Sequence, residues 1–208
     1  VDLITPRIPK PKLTSNLDAK WLVIGAGFTG LSCARRLAEL NPQEKVVIVD
    51  AREIGQNASG RNSGYAVVHS HFSGPFKESQ LSQYERVDRI NQAGLNSLRS
   101  LIANNNIDCD FKESGIYHTA ADNNSSKECD HFIDYLEKRE ISHTPLSQDQ
   151  LQEHLGTKWY PKGVKVENGA LVQPAKLVFG LADKLPSNVT LYENTPALKM
   201  ITGKTNEI

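Results

Sequence analysis

An α/β fold built around a Rossmann-like βαβ unit is predicted by three features of the first fifty residues. An apolar run, Trp21-Leu22-Val23-Ile24, leads into Gly25-Ala26-Gly27-Phe28-Thr29-Gly30. An amphipathic stretch follows, with Leu31, Ala34, Leu37, Ala38 and Leu40 available to one face. A second apolar run, Val46-Val47-Ile48-Val49, then closes on Asp50. Strand, G-x-G-x-x-G turn, helix, strand and terminal acid together describe a dinucleotide-binding unit. Gly25 makes the tight turn, Gly27 lets the backbone approach a pyrophosphate, and Gly30 lets helix and strand pack closely. The helix start offers free N–H groups and a partial positive charge to phosphates. Asp50 stands where a carboxylate accepts ribose hydroxyls.

Composition narrows the partners. Lys plus Arg and Asp plus Glu both count 24 in 208 residues, so no long-range field favours nucleic acid or an anionic membrane surface. No apolar run reaches the ~20 residues of a membrane helix, and residues 1–18 lack the order of a signal peptide, so a cytoplasmic protein is expected. Cys33, Cys109 and Cys129 are scattered without C-x-x-C spacing, which argues against a disulfide framework or a zinc site. Cys33, inside the first helix, reads as a small core residue. The N-x-S/T matches at Asn57, Asn123, Asn124 and Asn188 carry little weight without a secretory signal.

The remaining elements follow in order. Residues 1–18, with Pro6, Pro9 and Pro11, form an extended arm that packs along the surface or stays mobile. Ala51 to Tyr65 is a polar, glycine-punctuated loop of the length usually given to function. Residues 81–106 return to helical spacing, with Val87, Ile90, Gly94, Leu98 and Leu101 as a core-facing stripe. Asp110 to Ala121 holds one or two strands around Gly115, Ile116–Ala120 being the better half. A helix capped by Asn123 or Ser125 runs to about Glu140, with Phe132, Ile133, Leu136 and the partner Ile141 facing inward. Ser147 caps a short helix ending at Gly156. Val164–Glu167 and Gly169–Val172 read as a hairpin around Asn168-Gly169. Pro174 opens a helix to Leu185 with Leu177, Val178 and Leu181 as its apolar face. Val189–Tyr192 and Ala197–Ile201 read as strands, and Thr202-Gly203-Lys204 as a turn. A doubly wound sheet needs more parallel strands than these, so the chain is expected to be a fragment, or to be completed by another chain.

The glycine turn, Asp50, the loop Ala58-Ser59-Gly60-Arg61-Asn62-Ser63-Gly64 and the downstream Gly169-Ala170-Leu171-Val172-Gln173-Pro174-Ala175-Lys176-Leu177 resemble the D-amino-acid oxidase/glycine oxidase family of FAD-dependent oxidoreductases, in its γ-glutamylputrescine oxidase-like branch. The likeness spans about residues 19–203, the N-terminal half of a family member. It implies a Rossmann-like FAD-binding unit with an interleaved mixed-sheet substrate domain, an α+β part that is incomplete in this chain. Residues 19–80 would be the first part of the FAD domain, 81–172 mostly a substrate or cap domain, and 173–208 the return to the FAD domain.

The resemblance also assigns residues. Gly25, Gly27, Phe28, Thr29 and Gly30 would cradle the FAD pyrophosphate. Asp50, where the family more often has Glu, would hold the adenosine ribose with Ala51 and Arg52 beside it. Ala58, Ser59 and Arg61 would reach the pyrophosphate and ribityl region, Asn62, Ser63, Gly64 and Tyr65 would run beside the isoalloxazine, and the backbone of Ala197 would meet the adenine. Some relatives attach flavin to a histidine in this loop; none is present here, so the FAD is expected to be non-covalent. His69 and His71 form an H-x-H that could ligate metal or attach flavin covalently; alternation along a strand explains the spacing equally well, and no third ligand is apparent. Tyr65, Tyr117, His118 and Tyr160 are candidates for a substrate pocket, although aromatic residues in strands commonly serve the core.

By this resemblance the chain oxidises the C–N bond of a small amine or amino acid: hydride leaves the carbon bearing nitrogen for the flavin, and the imine is hydrolysed. No catalytic acid–base pair is visible. A flavoprotein acting on or with a partner protein is the alternative from another class. A nicotinamide-dependent dehydrogenase is a further one, disfavoured because its site has no need of the second glycine-rich loop.

Overall fold

The computed structural model describes residues 7–69 and 75–201. In chain order the first elements are β1 (Trp21–Ile24), α1 (Phe28–Leu40), β2 (Val46–Val49), β3 (Tyr65–Val67), α2 (Leu81–Asn105) and β4 (Ile116–Ala120). They are followed by α3 (Asn123–Lys138), β5 (His143–Ser147), α4 (Gln148–Leu155), β6 (Lys162–Val166), β7 (Gly169–Leu171), α5 (Pro174–Asp183) and β8 (Val189–Tyr192). Two compact units result. Among the described residues one takes 7–64, 105–110 and 173–201, and the other takes 65–69, 75–104 and 111–172. The first break therefore falls at Gly64 rather than near residue 80, and residues 105–110 return briefly to the first unit.

In the first unit β1, β2 and β8 form a parallel sheet in the order β1-β2-β8. Trp21 pairs with Val46 at one end, and Val49 pairs with Tyr192 at the other. The central strand β2 is buried at all four residues, each side chain contributing about 1.5–3 kcal/mol. Helix α1 makes the crossover and buries Leu31, Ala34 and Ala38. Leu40 lies outside that stripe, and Cys33, expected in the core, is exposed beside the buried Ala34. The Asn188 amide donates to the carbonyls of Ala38, Asn41 and Glu44, pinning the turn between α1 and β2 and giving this N-x-T asparagine a structural use.

Helix α5 buries the expected Leu177, Val178 and Leu181, with Pro174 in its first turn. Its cap is Gln173, whose Oε1 accepts from the amides of Ala175 and Lys176. The strand expected over Ala197–Ile201 does not form: residues 197–200 have no regular structure, and Leu198 is fully in solvent. The turn expected at Thr202-Gly203-Lys204 lies outside the described residues.

In the second unit β4, β6 and β5 form an antiparallel sheet with β6 in the centre. Ala120, Val164 and Val166 pack with Phe132, Tyr135 and Leu136 of α3 on one face, while Leu151 of α4 lies against Gly163 on the other. The expected hairpin at Asn168-Gly169 is absent. Both edges of β6 are already paired, so the chain turns tightly, with the Gly169 amide donating to the Glu167 carbonyl at 3.2 Å, and β7 pairs with β3 in a separate two-stranded sheet. Strand β5 contains Pro145, which hides it in the sequence and is tolerated because β5 is an edge.

The cap of α3 is Asp122, one residue before the expected start; it accepts the Ser125 amide while the Ser125 hydroxyl accepts the Asp122 amide. The Ser147 cap and the left-handed Gly156 of α4 are as expected. Helix α2 departs from its expected face: Val87 and Ile90 are exposed, and Asp88 and Leu95 are buried instead. The inward register is held by polar groups, since Asn91 Nδ2 donates to the Val68 carbonyl at 2.8 Å and Asp88 accepts the Tyr135 hydroxyl. Among the described residues no helix is long and apolar enough to cross a membrane.

Candidate cofactor site

Every residue assigned to the cofactor except Tyr65 lies in the first unit, most of them at the carboxyl end of the β1-β2-β8 sheet, where open α/β sheets take ligands. The turn after β1 is built by backbone. Gly25 has φ +99°, a conformation that L side chains rarely adopt, and its amide donates to the Val49 carbonyl at 2.8 Å. A Cβ on Gly30 would stand 1.8 Å from the Gly25 carbonyl oxygen, so the first turn of α1 touches the loop that precedes it. Helix α1 has no side-chain cap from Gly27 and no acid in its first turn. The Phe28 amide donates to Ser59 Oγ at 3.0 Å. The next amides, of Thr29 and Gly30, belong to the free N–H groups that open any helix. Ser59 also sits where a Cβ on Gly27 would reach, 2.8 Å from its Oγ.

Asp50 ties the strand end to this turn. Its Oδ2 accepts the Ala26 amide at 2.7 Å and its Oδ1 the Arg52 amide at 2.9 Å. An ionised carboxylate offers about four lone-pair sites; two hold the turn, and two remain for hydroxyls. The loop that follows folds on itself. Arg61 donates from Nε to the Gln56 carbonyl and from Nη2 to Gln56 Oε1, both at 3.0 Å. Asn62 Nδ2 donates to the carbonyls of Ala58 and Ser59, and Asn62 Oδ1 accepts the Gly64 amide at 2.9 Å. Ala51, Arg52, Ala58, Ser63 and Ala197 are exposed, Ala197 in the irregular segment after β8.

Sequence reasoning missed Glu193. It follows β8 as Asp50 follows β2, an acid at the carboxyl end of the neighbouring parallel strand. It is 0% exposed. Its Oε1 accepts Arg7 Nη1 and the Ile54 amide, each at 2.6 Å, and its Oε2 accepts the Lys10 amide. The repeated pattern, Val46-Val47-Ile48-Val49-Asp50 and Val189-Thr190-Leu191-Tyr192-Glu193, was the available signal.

The aromatic candidates of the second unit are not brought together. Tyr117 and His118 alternate along β4, so Tyr117 faces His154, at 5.9 Å between ring centres, and His118 packs on Phe132 at 4.6 Å. Tyr65 is exposed, and Tyr160 is half-buried. His69 Nδ1 lies 3.1 Å from Asp88; His71 lies outside the described residues. Asp88 also meets Arg139 Nη2 at 3.2 Å and the Tyr135 hydroxyl at 3.2 Å. A cleft of about 450 Å³ opens over this cluster, lined also by Glu85, Arg89 and Gln92. Burial first, and then the Asp88 carboxylate, push the Tyr135 phenol up to about 12. Among the described residues no group of three His, Cys, Asp or Glu side chains is placed to hold a metal.

A family model described as FAD dependent oxidoreductase matches residues 20–207. The chain is 27% identical over 202 residues to "Probable oxidoreductase OrdL" of Haemophilus influenzae, covering 92% of this chain and 45% of that protein. It is 26% identical over 186 residues to the γ-glutamylputrescine oxidoreductase of Escherichia coli, covering 86% and 42%. Among solved structures, glycine oxidase from Bacillus cereus superposes with a TM-score of 0.69 at 20% identity, over 90% of this chain and 49% of that one. L-amino acid deaminase from Proteus vulgaris superposes at 0.70 and 20%, over 95% and 44%. At such identities these two likenesses concern the fold. The chain spans less than half the length of each of these relatives.

Proposed function

The chain belongs to the FAD-dependent oxidoreductase family, and from that premise we propose that it is the FAD-holding part of an enzyme that oxidises the C–N bond of an amine or amino acid. The observation that carries the reading is the joint of turn and acid: an α1 start with no acid in its first turn, its Phe28 amide held by Ser59 Oγ, and an Asp50 carboxylate locked to Ala26 and Arg52 with lone pairs to spare. These residues fit FAD. Gly25, Gly27 and the amides of Thr29 and Gly30 suit a pyrophosphate, because no acid stands in the first turn of α1 and Ser59 Oγ takes the Phe28 amide. Asp50 suits the adenosine ribose, and Ser59, Arg61 and Asn62 shape the loop beside them. When bound, FAD would supply the oxidising chemistry, as acceptor of a hydride from the carbon that bears nitrogen.

The protein's own share is to hold and to orient. Asp50 anchors one end of the cofactor while keeping the glycine turn in place, and Ser59 braces the start of α1. The described part of the loop, residues 51–64, carries no histidine or cysteine, which supports non-covalent retention. The family membership sets FAD, rather than a nicotinamide dinucleotide, as the cofactor. The likeness to a γ-glutamylputrescine oxidoreductase, a glycine oxidase and an L-amino acid deaminase supports a small amine or amino-acid substrate.

The test uses the full-length protein. Oxidised-flavin absorption bands are expected on purification, and anaerobic addition of a panel of amines and amino acids should bleach them. Flavin bands that no small amine bleaches would refute the amine reading in favour of a flavoprotein serving a partner protein. In Gly27→Val the new side chain would collide with Ser59 and occupy the approach to the helix amides, so flavin content should fall to background.

A further inference from the structure

The described part of the arm that precedes β1, residues 7–20, carries no regular structure, yet its contacts converge on one carboxylate. Glu193 is fully buried and bears a charge that water cannot reach, so it requires partners. Arg7 supplies the countercharge, and its own side chain is only 14% exposed, lying over the Phe179 ring at 5.3 Å. The Lys10 amide caps the second carboxylate oxygen. Three residues on, the Leu13 amide donates to Thr195 Oγ1 at 3.0 Å, and outside these contacts Lys10 Nζ pairs with Asp183 at 3.0 Å.

The same two residues, Glu193 and Thr195, hold the segment 50–54. Glu193 Oε1 accepts the Ile54 amide as well as Arg7, and the Thr195 amide donates to the backbone carbonyl of Asp50 at 2.7 Å. Asn194 meets the Arg52 carbonyl. Residues 50–54 are therefore fixed from one side by their bonds to the glycine turn and from the other by groups that the arm completes.

We propose that the N-terminal arm is a positioning element of the FAD site, in which Arg7, by neutralising the buried Glu193, holds residues 50–54 where Asp50 meets the adenosine ribose. The proposal rests on the FAD assignment made above. Arg7 touches no part of the cofactor site itself and acts only through Glu193 and the 50–54 segment.

The test is a double-mutant cycle on the full-length flavoprotein, read as the dissociation constant of FAD for the apoprotein by flavin fluorescence quenching. Arg7→Ala is expected to weaken FAD about tenfold. Arg7→Lys keeps the charge and should recover most of that loss. In an Asp50→Ala background Arg7→Ala should have little further effect, because the group it positions is gone; a merely structural role would give the same factor in both backgrounds. Additivity, or FAD affinity unchanged in Arg7→Ala, would overturn the proposal. If Arg7→Ala fails to fold, the cycle is run with Arg7→Lys, whose altered geometry at Glu193 should give a smaller, equally non-additive loss. Absence of FAD binding by the parent protein would instead fall on the cofactor assignment.

Discussion

Replacing Gly30 by alanine tests the geometry of the glycine turn with a single methyl group. Its Cβ would stand 1.8 Å from the Gly25 carbonyl oxygen and 2.9 Å from the Gly25 carbonyl carbon. A Cβ first fits at about 3.0 Å, so turn and helix must separate by roughly 1.2 Å. Overpacking of this kind costs about 1–3 kcal/mol of stability. On the proposed assignment the larger effect falls on FAD, because the atoms that move apart would be the two walls of the pyrophosphate site. Losing one or two charge-assisted hydrogen bonds at about 1.5–3 kcal/mol each predicts affinity weakened about 100-fold. Gly94→Ala provides the control, since Gly94 lies within α2 with nothing within 4 Å of a new Cβ. It should stabilise the protein by about 1 kcal/mol through helix propensity and leave FAD affinity unchanged. Both variants are read by thermal melting of the apoprotein and by fluorescence titration with FAD. A Gly30→Ala protein that binds FAD within about threefold of the parent would refute the argument, because a threefold loss is well under 1 kcal/mol.

Three further outcomes are expected. Asp50→Ala removes the acceptor of the Ala26 and Arg52 amides, so the apoprotein should lose about 1–3 kcal/mol and FAD should bind about 10- to 100-fold more weakly; loss of affinity without loss of apoprotein stability would contradict the double use of its oxygens. The Tyr135 phenol is pushed up to about 12 from an ordinary 10.0, so the stability it contributes is fully present below pH 10 and is lost as pH rises toward 12. Tyr135→Phe should flatten denaturation midpoints measured across that interval, and an unchanged slope would sink the assignment. Under native conditions one thiol, Cys33, should react rapidly with a disulfide reagent, since Cys109 and Cys129 are buried and burial pushes the Cys129 thiol up. Mass mapping that finds label on Cys109 or Cys129 before unfolding would contradict the burial described.

The βαβ unit was legible because each of its parts answers to a local rule: Gly25 to a turn, Gly30 to close packing, Val46–Val49 to a strand buried on both faces. Where the reading failed, a non-local partner decided. The stripe through Val87 and Ile90 is sound as periodicity, but Asp88 and Asn91 find hydrogen-bond partners that turn the helix by one position. Strand β5 was concealed by Pro145, and the supposed hairpin at Asn168-Gly169 dissolved because β6 already had two neighbours. The candidate site divides in the same way. Gly25, Gly27 and Asp50 announce themselves by spacing, whereas Glu193 needed the pairing of β8 with β2 before its relation to Asp50 could be seen.

That pairing also bears on how the chain acquires its structure with time. Glu193 reaches back 139 residues to the Ile54 amide and 186 to Arg7, and β8 closes on β2 over a comparable stretch of chain. Closing loops of this length is entropically slow, and contacts so distant in sequence delay the rate-limiting step. On the ribosome the segment 50–54 and the arm emerge early, but Ile54 must wait for 139 further residues and Arg7 for 186 before their partner exists, on the order of 30 s at about 5 residues per second. Until then the β2 edge is open and Arg7 has no countercharge. On the proposed assignment flavin capture is a late event of synthesis, and a chaperone would act on yield by protecting the chain during that interval.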